Sequence, residues 1–332
     1  MEKIIPQKLK KGDEIRVIAP SRSMKVLKDD VIKLATKRLE ELGFKITFGK
    51  NVMNSINDDF KSATIDERVK DLEDAFQDRN VKAILTVIGG YNVNQILDYI
   101  DYEIIKNNPK ILCGFSDITA LSNAIYAKTG MITYYGVHFS SFGMKYGFKY
   151  SLEYFKKMFI EKEVVKIEDS EEWSNDRWLK NQEERIFEIN EGMKIVNEGE
   201  TEGKIIGGNL CTLNLLQGTE YMPELDESIL FIEDDGLVGN AFNKEFDRNL
   251  QSLLHSAKGN NIKGIVIGRA EKESNMDDEK WKRIIETKKE LENIPVIINA
   301  NFGHTTPIFS FPIGGQAKIV ARNGKIDLEI SD

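Results

Sequence analysis

The fold is indicated first by residues 111–125, which read ILCGFSDITALSNAI. Ile111, Leu112 and Cys113 form an apolar run typical of a buried strand, and the apolar positions after the Gly-Phe-Ser-Asp turn share one face of a helix. The stretch therefore predicts a strand, a tight turn that carries Ser116, and a helix. Serine is a favoured N-cap residue, so Ser116 has a structural interpretation as a helix cap.

Ser116 also has a chemical interpretation. A serine at a strand-to-helix turn is exposed and is backed by the free amide groups of the helix start. These conditions suit a nucleophile whose reaction develops negative charge nearby. Helix capping and catalysis are therefore both open for Ser116 on local sequence alone.

Strand and helix signals alternate on both sides of this stretch in the first half of the chain. The predicted strands are 14–19, 45–48, 83–88 and 131–135, and the predicted helices include 26–42 and 65–77. A further helix is predicted after the Gly89-Gly90 turn, with Val93, Ile96, Leu97 and Ile100 as its apolar positions. Repeated strand–helix units predict a parallel sheet with helices on both faces. Ligands of such sheets bind beyond the carboxyl ends of the strands, where both Gly89-Gly90 and Ser116 fall.

The second half of the chain predicts a separate α/β domain with an antiparallel edge. Its strands are predicted at 228–233, 263–268 and 295–300, with a helix at 277–291 and a hairpin at 316–330 around Asn323-Gly324. The Asn-Gly pair is a strong hairpin signal.

A charge-rich segment with two tryptophans joins the halves. Trp173 and Trp178 lie in an otherwise polar setting, which favours a linker with a long functional loop. The alternative is a solvated connector whose tryptophans pack on a neighbouring surface. We expect an N-terminal domain at 1–160, a linker and substrate loop at 161–202, and a C-terminal domain at 203–332.

Composition narrows the class of protein. The 332 residues are 41% hydrophobic and carry a net charge of −8, which predicts ordinary globular domains and argues against nucleic acid as a partner. No apolar run is long enough for a membrane span, and the N-terminus lacks a signal-peptide core. Cys113 and Cys211 have no metal-ligand spacing and read as buried free thiols. We expect a cytoplasmic protein without a membrane partner, metal or cofactor.

The chain has three histidines that could act as a base. His304 follows the strand at 295–300 in the sequence Asn-Phe-Gly-His-Thr-Thr-Pro, and His138 also lies past a strand end. Strand-end loops are the usual home of catalytic groups, and this placement favours His304 over His138. His255 falls late in a helix, where a structural role is favoured.

A histidine base needs a carboxylate that fixes its tautomer. Glu233 ends the apolar run Ile-Leu-Phe-Ile and is well placed for this role. The adjacent acids Asp234 and Asp235 leave open a cation site. Neighbouring strand residues point to opposite faces, which disfavours that alternative.

The Gly89-Gly90 turn is a candidate partner for Ser116. Glycine lets the backbone approach a substrate closely, and the amide of Gly90 can join that of Asp117 in an oxyanion hole. A plain strand-to-helix turn is the alternative. The turn is not a dinucleotide fingerprint, because no G-x-G-x-x-G motif follows a strand.

Together these motifs resemble the LD-carboxypeptidase family of serine peptidases along nearly the whole chain. The matching motifs are Gly89-Gly90-Tyr91, Gly114-Phe115-Ser116-Asp117, Gly207-Gly208-Asn209-Leu210 with Gly218-Thr219, Phe231-Ile232-Glu233-Asp234 and Phe302-Gly303-His304. The resemblance implies a triad of Ser116 as nucleophile, His304 as base and Glu233 as its partner, with the amides of Gly90 and Asp117 as oxyanion hole. It also implies a Rossmann-like or flavodoxin-like N-terminal sandwich, a C-terminal swivelling α/β domain and a homodimer.

The family divides by substrate. Immunity-type members of the microcin C branch cleave the amide between an acidic amino acid and a sulfamoyl or phosphoramidate adenylate, whereas cell-wall members cleave muropeptides. The tryptophan loop, the Gly-Gly-Tyr-Asn turn and the Glu-Asp-Asp ending resemble the first branch. Trp178 is the expected platform for the adenine, with Trp173 as the alternative. Arg177, Tyr91 and Asn209 complete the predicted substrate-binding residues.

The prediction is therefore a serine carboxypeptidase or amidohydrolase that acts on a small aminoacyl-nucleotide or short peptide. A muropeptide carboxypeptidase of cell-wall recycling is the first alternative. A catalytically silent ligand-binding module in the same cleft is the second.

Overall fold

The structure is a computed structural model that describes residues 2–56, 59–161, 163–256 and 261–332. Its strands are β1 Glu14–Ile18, β2 Lys45–Phe48, β3 Val81–Thr86, β4 Ile111–Gly114, β5 Thr133–Tyr135, β6 Val164–Ile167, β7 Glu172–Trp173, β8 Glu188–Ile189, β9 Lys194–Asn197, β10 Gly199–Asn209, β11 Ser228–Glu233, β12 Gly264–Gly268, β13 Val296–Ala300, β14 Phe311–Ile313, β15 Gln316–Arg322 and β16 Lys325–Ser331.

The α-helices pack on these strands. They are α1 Asp29–Glu41, α2 Ile65–Gln77, α3 Tyr102–Asn107, α4 Ile118–Thr129, α5 Lys149–Lys156, α6 Leu210–Asn214, α7 Phe242–His255 and α8 Asp278–Glu286. Shorter 3-10 turns occur at Met24–Val26, Val93–Tyr99, Phe139–Gly143, Gly236–Ala241, Lys272–Ser274 and Lys289–Leu291, and a π-helical turn at Lys157–Glu161.

The first sheet is the parallel sheet that the first half of the sequence predicts. Within the described residues its strand order is β14-β5-β4-β3-β1-β2, and all neighbours are parallel except β14 and β5. Strand β14 comes from the far end of the chain and was not predicted. Its residue Phe311 stacks on Tyr135 of β5, with ring centroids 4.7 Å apart.

The second sheet has a parallel centre and antiparallel edges. Its order in the described part of the chain is β6-β16-β15-β10-β11-β12-β13-β9, with β10 to β13 parallel. The predicted hairpin is β15 and β16, whose turn residues Asn323 and Gly324 have φ of 53° and 72°. The α/β fold class with an antiparallel edge is thus confirmed.

Residues 161–202 contain more regular structure than a loop. They include β6 and β9, which form opposite edges of the second sheet, the small β7–β8 hairpin, and the start of β10. The domain boundaries given above stay a prediction.

Helix α4 connects the two sheets. The amide side chain of Asn123 donates to the Gly207 carbonyl at 2.9 Å, and the Thr119 hydroxyl accepts from the Asn209 amide at 2.9 Å. Both bonds are buried. The turn before α4 therefore faces the carboxyl ends of β10 and β11.

Of the two cysteines that the sequence predicts to be buried thiols, Cys113 is buried in β4 and Cys211 is exposed. The second prediction is wrong because α6 is a short surface helix. Its residues Leu210 and Leu213 pack inward, and position 211 faces solvent. Among the described residues no helix combines the length and apolar character that a bilayer crossing requires.

Candidate active site

The turn between β4 and α4 holds Ser116 in an unusual conformation. Its φ of 62° lies in the left-handed region, which costs a non-glycine residue about 1–3 kcal/mol. The N-cap of α4 is Asp117, without a side-chain capping bond. The Ser116 hydroxyl instead lies 3.0 Å from Nε2 of His304. The capping interpretation of Ser116 is therefore wrong, and the turn directs its hydroxyl into the cleft.

His304 links Ser116 to a buried carboxylate. Its Nδ1 lies 2.7 Å from Oε2 of Glu233, whose side chain is 1% exposed. The other carboxylate oxygen, Oε1, accepts a hydrogen bond of 2.9 Å from the Tyr135 hydroxyl. Glu233 ends β11 and His304 follows β13, so two strand ends of the second sheet meet a turn of the first.

The pKa of His304 is strongly perturbed. Burial alone would lower this pKa, but the charge and hydrogen bond of Glu233, with further charge from Asp235 and Glu271, raise it to about 9. The raised pKa favours the imidazolium form of His304, which carries a proton on Nε2 as well as on Nδ1. His304 becomes a base towards Ser116 only after it loses the Nε2 proton.

The other two histidines do not take part in this chain of contacts. His138 is buried, and its Nδ1 lies 2.8 Å from the Thr86 hydroxyl. Burial, with the nearby charges of Arg22 and His304, lowers the pKa of His138 well below its usual value. His255 ends α7 on the surface and contacts Gln251.

The glycine turn after β3 lies against Ser116. A β carbon added to Gly89 would lie 2.9 Å from the Ser116 β carbon and 3.5 Å from the Asp117 amide nitrogen, so any larger residue would have to displace the serine. The peptide between Gly89 and Gly90 and the amide of Asp117 therefore border the same space beside the Ser116 hydroxyl. The oxyanion hole that the sequence predicts from the amides of Gly90 and Asp117 would lie in this space.

The three consecutive acids after β11 point to different partners. Glu233 contacts His304, Asp234 accepts from the Asn209 side chain at 3.1 Å, and Asp235 caps the 3-10 turn at Leu237. Burial and the neighbouring acids raise the pKa of Asp234 to about 7. Oxygen donors of Asp234 and Asp235 lie within 4.8 Å of the Cys211 sulfur, and Glu233 is not part of this group.

Asn209 was predicted to bind substrate, and its side chain has partners within the protein. Its Oδ1 accepts from the amide and hydroxyl of Thr212 at 3.1 and 2.7 Å, and its Nδ2 donates to Asp234. The residue is 1% exposed. In this conformation it supports the strand end that carries Glu233.

The structure separates the two tryptophans of the loop. Trp178 lines a cavity of about 80 Å³ together with His304 and Phe115. Trp173 does not line this cavity, and its ring packs against the guanidinium of Arg269 at 4.9 Å and the ammonium of Lys272 at 5.4 Å. Trp178 is therefore next to the reactive groups, whereas the Trp173 ring already has cationic partners.

The loop is tied to the histidine segment. Backbone bonds of 2.7 and 2.9 Å join Ser174 and Thr306 in both directions, two residues after His304. Of the other predicted binding residues, Tyr91 is 60% exposed beside the glycine turn and Arg177 is exposed on the loop surface. The cleft therefore has a floor, formed by Ser116, His304, Glu233 and Tyr135, and an exposed rim, formed by Tyr91 and the loop that carries Arg177 and Trp178.

Sequence reasoning missed Tyr135, which holds the second oxygen of Glu233. It ends β5, and a polar atom at the carboxyl end of a parallel strand is the signal that could have identified it. It also missed Ser21 and Arg22, which follow β1 and pack against the glycine turn.

Comparison with known proteins identifies one family for both domains of the chain. The family models for the LD-carboxypeptidase N-terminal and C-terminal domains match residues 15–136 and 202–319. "Putative carboxypeptidase YocD" of Bacillus subtilis is 52% identical over 96% of each chain. The crystal structure of an MccF-like protein from Bacillus anthracis superposes with a TM-score of 0.97 at 51% identity, covering 99% of each chain.

The chain is also similar to the microcin C7 self-immunity protein MccF. The Escherichia coli protein is 30% identical over 96% of this chain and 93% of its own. Its structure in complex with aspartyl sulfamoyl adenosine superposes with a TM-score of 0.86 at 28% identity over 98% of each chain. Because both family models match and these relatives are similar over at least 96% of its length, the chain belongs to the LD-carboxypeptidase family.

Proposed function

We propose that this protein is a serine amidohydrolase in which Ser116 is the nucleophile, His304 the general base and Glu233 the partner that orients it. The observation that carries the proposal is the continuous contact from Ser116 Oγ to His304 Nε2 at 3.0 Å and from His304 Nδ1 to Glu233 Oε2 at 2.7 Å. A nucleophile within hydrogen-bond reach of a base, itself held by a third group, is the signature of covalent catalysis.

The reaction follows from these contacts. Neutral His304 takes the Ser116 proton as Oγ attacks the substrate carbonyl, and the amides of Gly90 and Asp117 stabilise the oxyanion. The imidazolium then donates its proton to the leaving nitrogen as the C–N bond breaks, leaving an ester on Ser116. Water, deprotonated by His304, hydrolyses the ester and releases the acid.

The proposed substrate joins an acidic amino acid to a sulfamoyl or phosphoramidate adenylate through an amide. Two observations support this class: Trp178 presents an indole next to His304, and the structure of MccF with aspartyl sulfamoyl adenosine superposes closely on this chain. An indole face accepts any base by stacking, worth about 1–3 kcal/mol. Arg177 and Tyr91, both exposed at the rim, are proposed to contact the remainder of the ligand.

We propose a homodimer in a reducing compartment such as the cytoplasm. The family resemblance supports the dimer, and the free state of Cys113 and Cys211 fits a reducing environment. Sedimentation equilibrium across a concentration series tests the dimer.

The decisive experiment offers purified protein an aspartyl-sulfamoyl adenosine and a muropeptide tetrapeptide under the same conditions. Faster release of aspartate supports the proposal, whereas preference for the tetrapeptide would move the protein to the cell-wall branch. Binding of either compound without hydrolysis, and without labelling of Ser116 by a serine-directed phosphonate, would identify a silent binding module.

A further inference from the structure

The peptide group between Gly89 and Gly90 has two ends with different partners. Its N–H, on Gly90, is the proposed oxyanion donor. Its C=O, on Gly89, accepts a hydrogen bond of 2.7 Å from Nε of Arg22. Because a peptide group is planar and trans, a partner that fixes the carbonyl also fixes the direction of the N–H.

Arg22 is more than a geometric restraint on this peptide. Its guanidinium is partly buried in the loop that follows β1, and a hydrogen bond from a charged donor is stronger than one between neutral groups. Hydrogen bonds in series polarise one another, so a cation on the carbonyl makes the amide of the same peptide a better donor. Arg22 therefore acts on the Gly90 amide through the peptide bond.

A second side chain holds the other end of the glycine turn. The Asp117 carboxylate is 3% exposed, and its Oδ2 accepts from the amides of Asn92 and Val93, each at 3.0 Å, and from the Ser21 hydroxyl at 2.5 Å. Asp117 thus supplies one proposed oxyanion donor with its backbone and restrains the segment that supplies the other.

The loop after β1 packs closely against Gly90. A β carbon on Gly90 would lie 2.3 Å from the Ser21 hydroxyl and 3.0 Å from Cγ of Arg22. Residues 21 and 22 therefore pack directly on the back of the turn. The Gly89–Gly90 peptide is restrained at its carbonyl, at its rear surface and at the residues that follow it.

We propose that Arg22 and the carboxylate of Asp117 are positioning residues of the oxyanion hole, which hold the Gly89–Gly90 peptide with its N–H directed at the reacting carbonyl. This inference rests on the proposed function. It assigns a positioning role to two side chains that are not part of the chain of contacts formed by Ser116, His304 and Glu233.

The test replaces Arg22 with methionine, which keeps much of the apolar stem and removes the donor. We expect kcat on the preferred substrate to fall about 10- to 100-fold, less than the 10²–10³-fold typical when an oxyanion donor is removed outright. KM should stay within about twofold, because the donor acts on the transition state. The pH midpoint of kcat/KM, which reports His304, should not move.

Matched variants separate positioning from folding. Arg22→Lys keeps a cationic donor and should recover most of the lost kcat. Arg16→Met is the control in the middle of β1, where the Arg16 guanidinium donates to Thr47, Glu14 and Asp78, and it should leave kcat unchanged. Asp117→Asn replaces the acceptor that faces the Asn92 and Val93 amides and should reproduce the Arg22→Met phenotype. All rates are normalised to active sites titrated with a phosphonate.

The inference is overturned if Arg22→Met keeps the wild-type kcat per active site, or if Arg22→Lys is no better than Arg22→Met. If the wild-type protein hydrolyses neither substrate, the proposed function fails. A crystal structure of Arg22→Met then decides the inference by itself, since a Gly89–Gly90 peptide in its original orientation would contradict it and a rotated peptide would support it.

Discussion

The floor and the rim of the cleft are built in different ways. On the floor, Ser116, His304, Glu233 and Tyr135 form one chain of contacts of 2.7–3.0 Å, in which Glu233 and Tyr135 are buried. On the rim, the loop that carries Trp178 has exposed polar neighbours and is tied to the floor through Ser174 and Thr306. Under the proposed function, the chemistry depends on packing between the sheets, whereas substrate choice depends on a surface segment. Substitutions on the floor should affect kcat, and those on the rim should affect KM.

The largest effect is expected from Ser116→Ala. Removing the nucleophile should lower kcat by about 10⁶-fold, as for other serine hydrolases. Circular dichroism and thermal unfolding should match the wild type, because alanine keeps the β carbon of Ser116 and with it the surrounding packing. A variant with near-normal hydrolysis would contradict the assignment of the floor.

Glu233→Gln should rank second, with a loss of about 10⁴-fold in kcat, because the amide no longer fixes the tautomer or stabilises the imidazolium. The pH profile gives an independent readout. Since Glu233 raises the pKa of His304 to about 9, kcat/KM of the wild type should rise with pH above the ordinary histidine value of 6.5. In the variant, the rising part of the kcat/KM profile should move to lower pH. An unchanged profile would argue against the pairing of Glu233 with His304.

The same pairing predicts a stability profile. The folded pKa of His304 lies above its unfolded value of 6.5, so the ion pair contributes fully below about pH 6.5 and is lost as pH rises through about 9. Urea unfolding of wild type and Glu233→Gln should therefore differ most at pH 6 and least above pH 9. A difference that grows with pH would show that another group dominates.

On the rim, Trp178→Ala should weaken nucleotide substrates by about 5- to 150-fold in kcat/KM, the equivalent of losing one base stack. The effect should fall mainly on KM. Trp173→Ala is the matched control and should cost less, because Arg269 and Lys272 already cover its ring. Equal losses in the two variants would remove the distinction between them.

The smallest effect is expected from Tyr135→Phe, which removes the donor to Glu233 and keeps the ring packed on Phe311. We expect kcat to fall about threefold to tenfold. This is less than the full value of about 1.5–3 kcal/mol that a hydrogen bond to a charged group contributes, because Glu233 keeps its bond to His304. Without this donor, the Glu233 carboxylate interacts more strongly with the imidazolium and raises the pKa of His304 further. The rising part of the kcat/KM profile should therefore shift to higher pH, opposite to the Glu233→Gln shift. A shift in the same direction would contradict this role for Tyr135.

Local signals predicted the elements that depend on neighbours in sequence. Helix α2 and strand β11 have the bounds that periodicity predicts, 65–77 and 228–233. The segment after the glycine turn was predicted as an ordinary helix and is a 3-10 turn at Val93–Tyr99, whose first amide is bound by Asp117 from a distant turn. The spacing of apolar residues does not distinguish a short α-helix from a 3-10 helix.

The features that sequence could not predict depend on distant partners. The contact between Tyr135 and Glu233 joins residues 98 positions apart, and Arg22 meets Gly89 across 67. Neither pair has a local pattern, because each residue reads as an ordinary strand end until the two sheets are placed together. Strand-end placement indicated Ser116, Glu233 and His304 as separate candidates, but their assignment to one triad depended on a resemblance to known motifs for the same reason.

The return of strand β14 to the first sheet has a consequence for synthesis of the protein. Residues 311–313 cover the edge of β5, so a nascent chain that has emerged only to residue 160 exposes that strand's unpaired backbone. An N-terminal fragment should consequently be prone to aggregation, and folding should finish late, after nearly the whole chain has left the ribosome. The first sheet is completed only when β14 has left the ribosome, so the cleft is assembled after both halves of the chain have been synthesised.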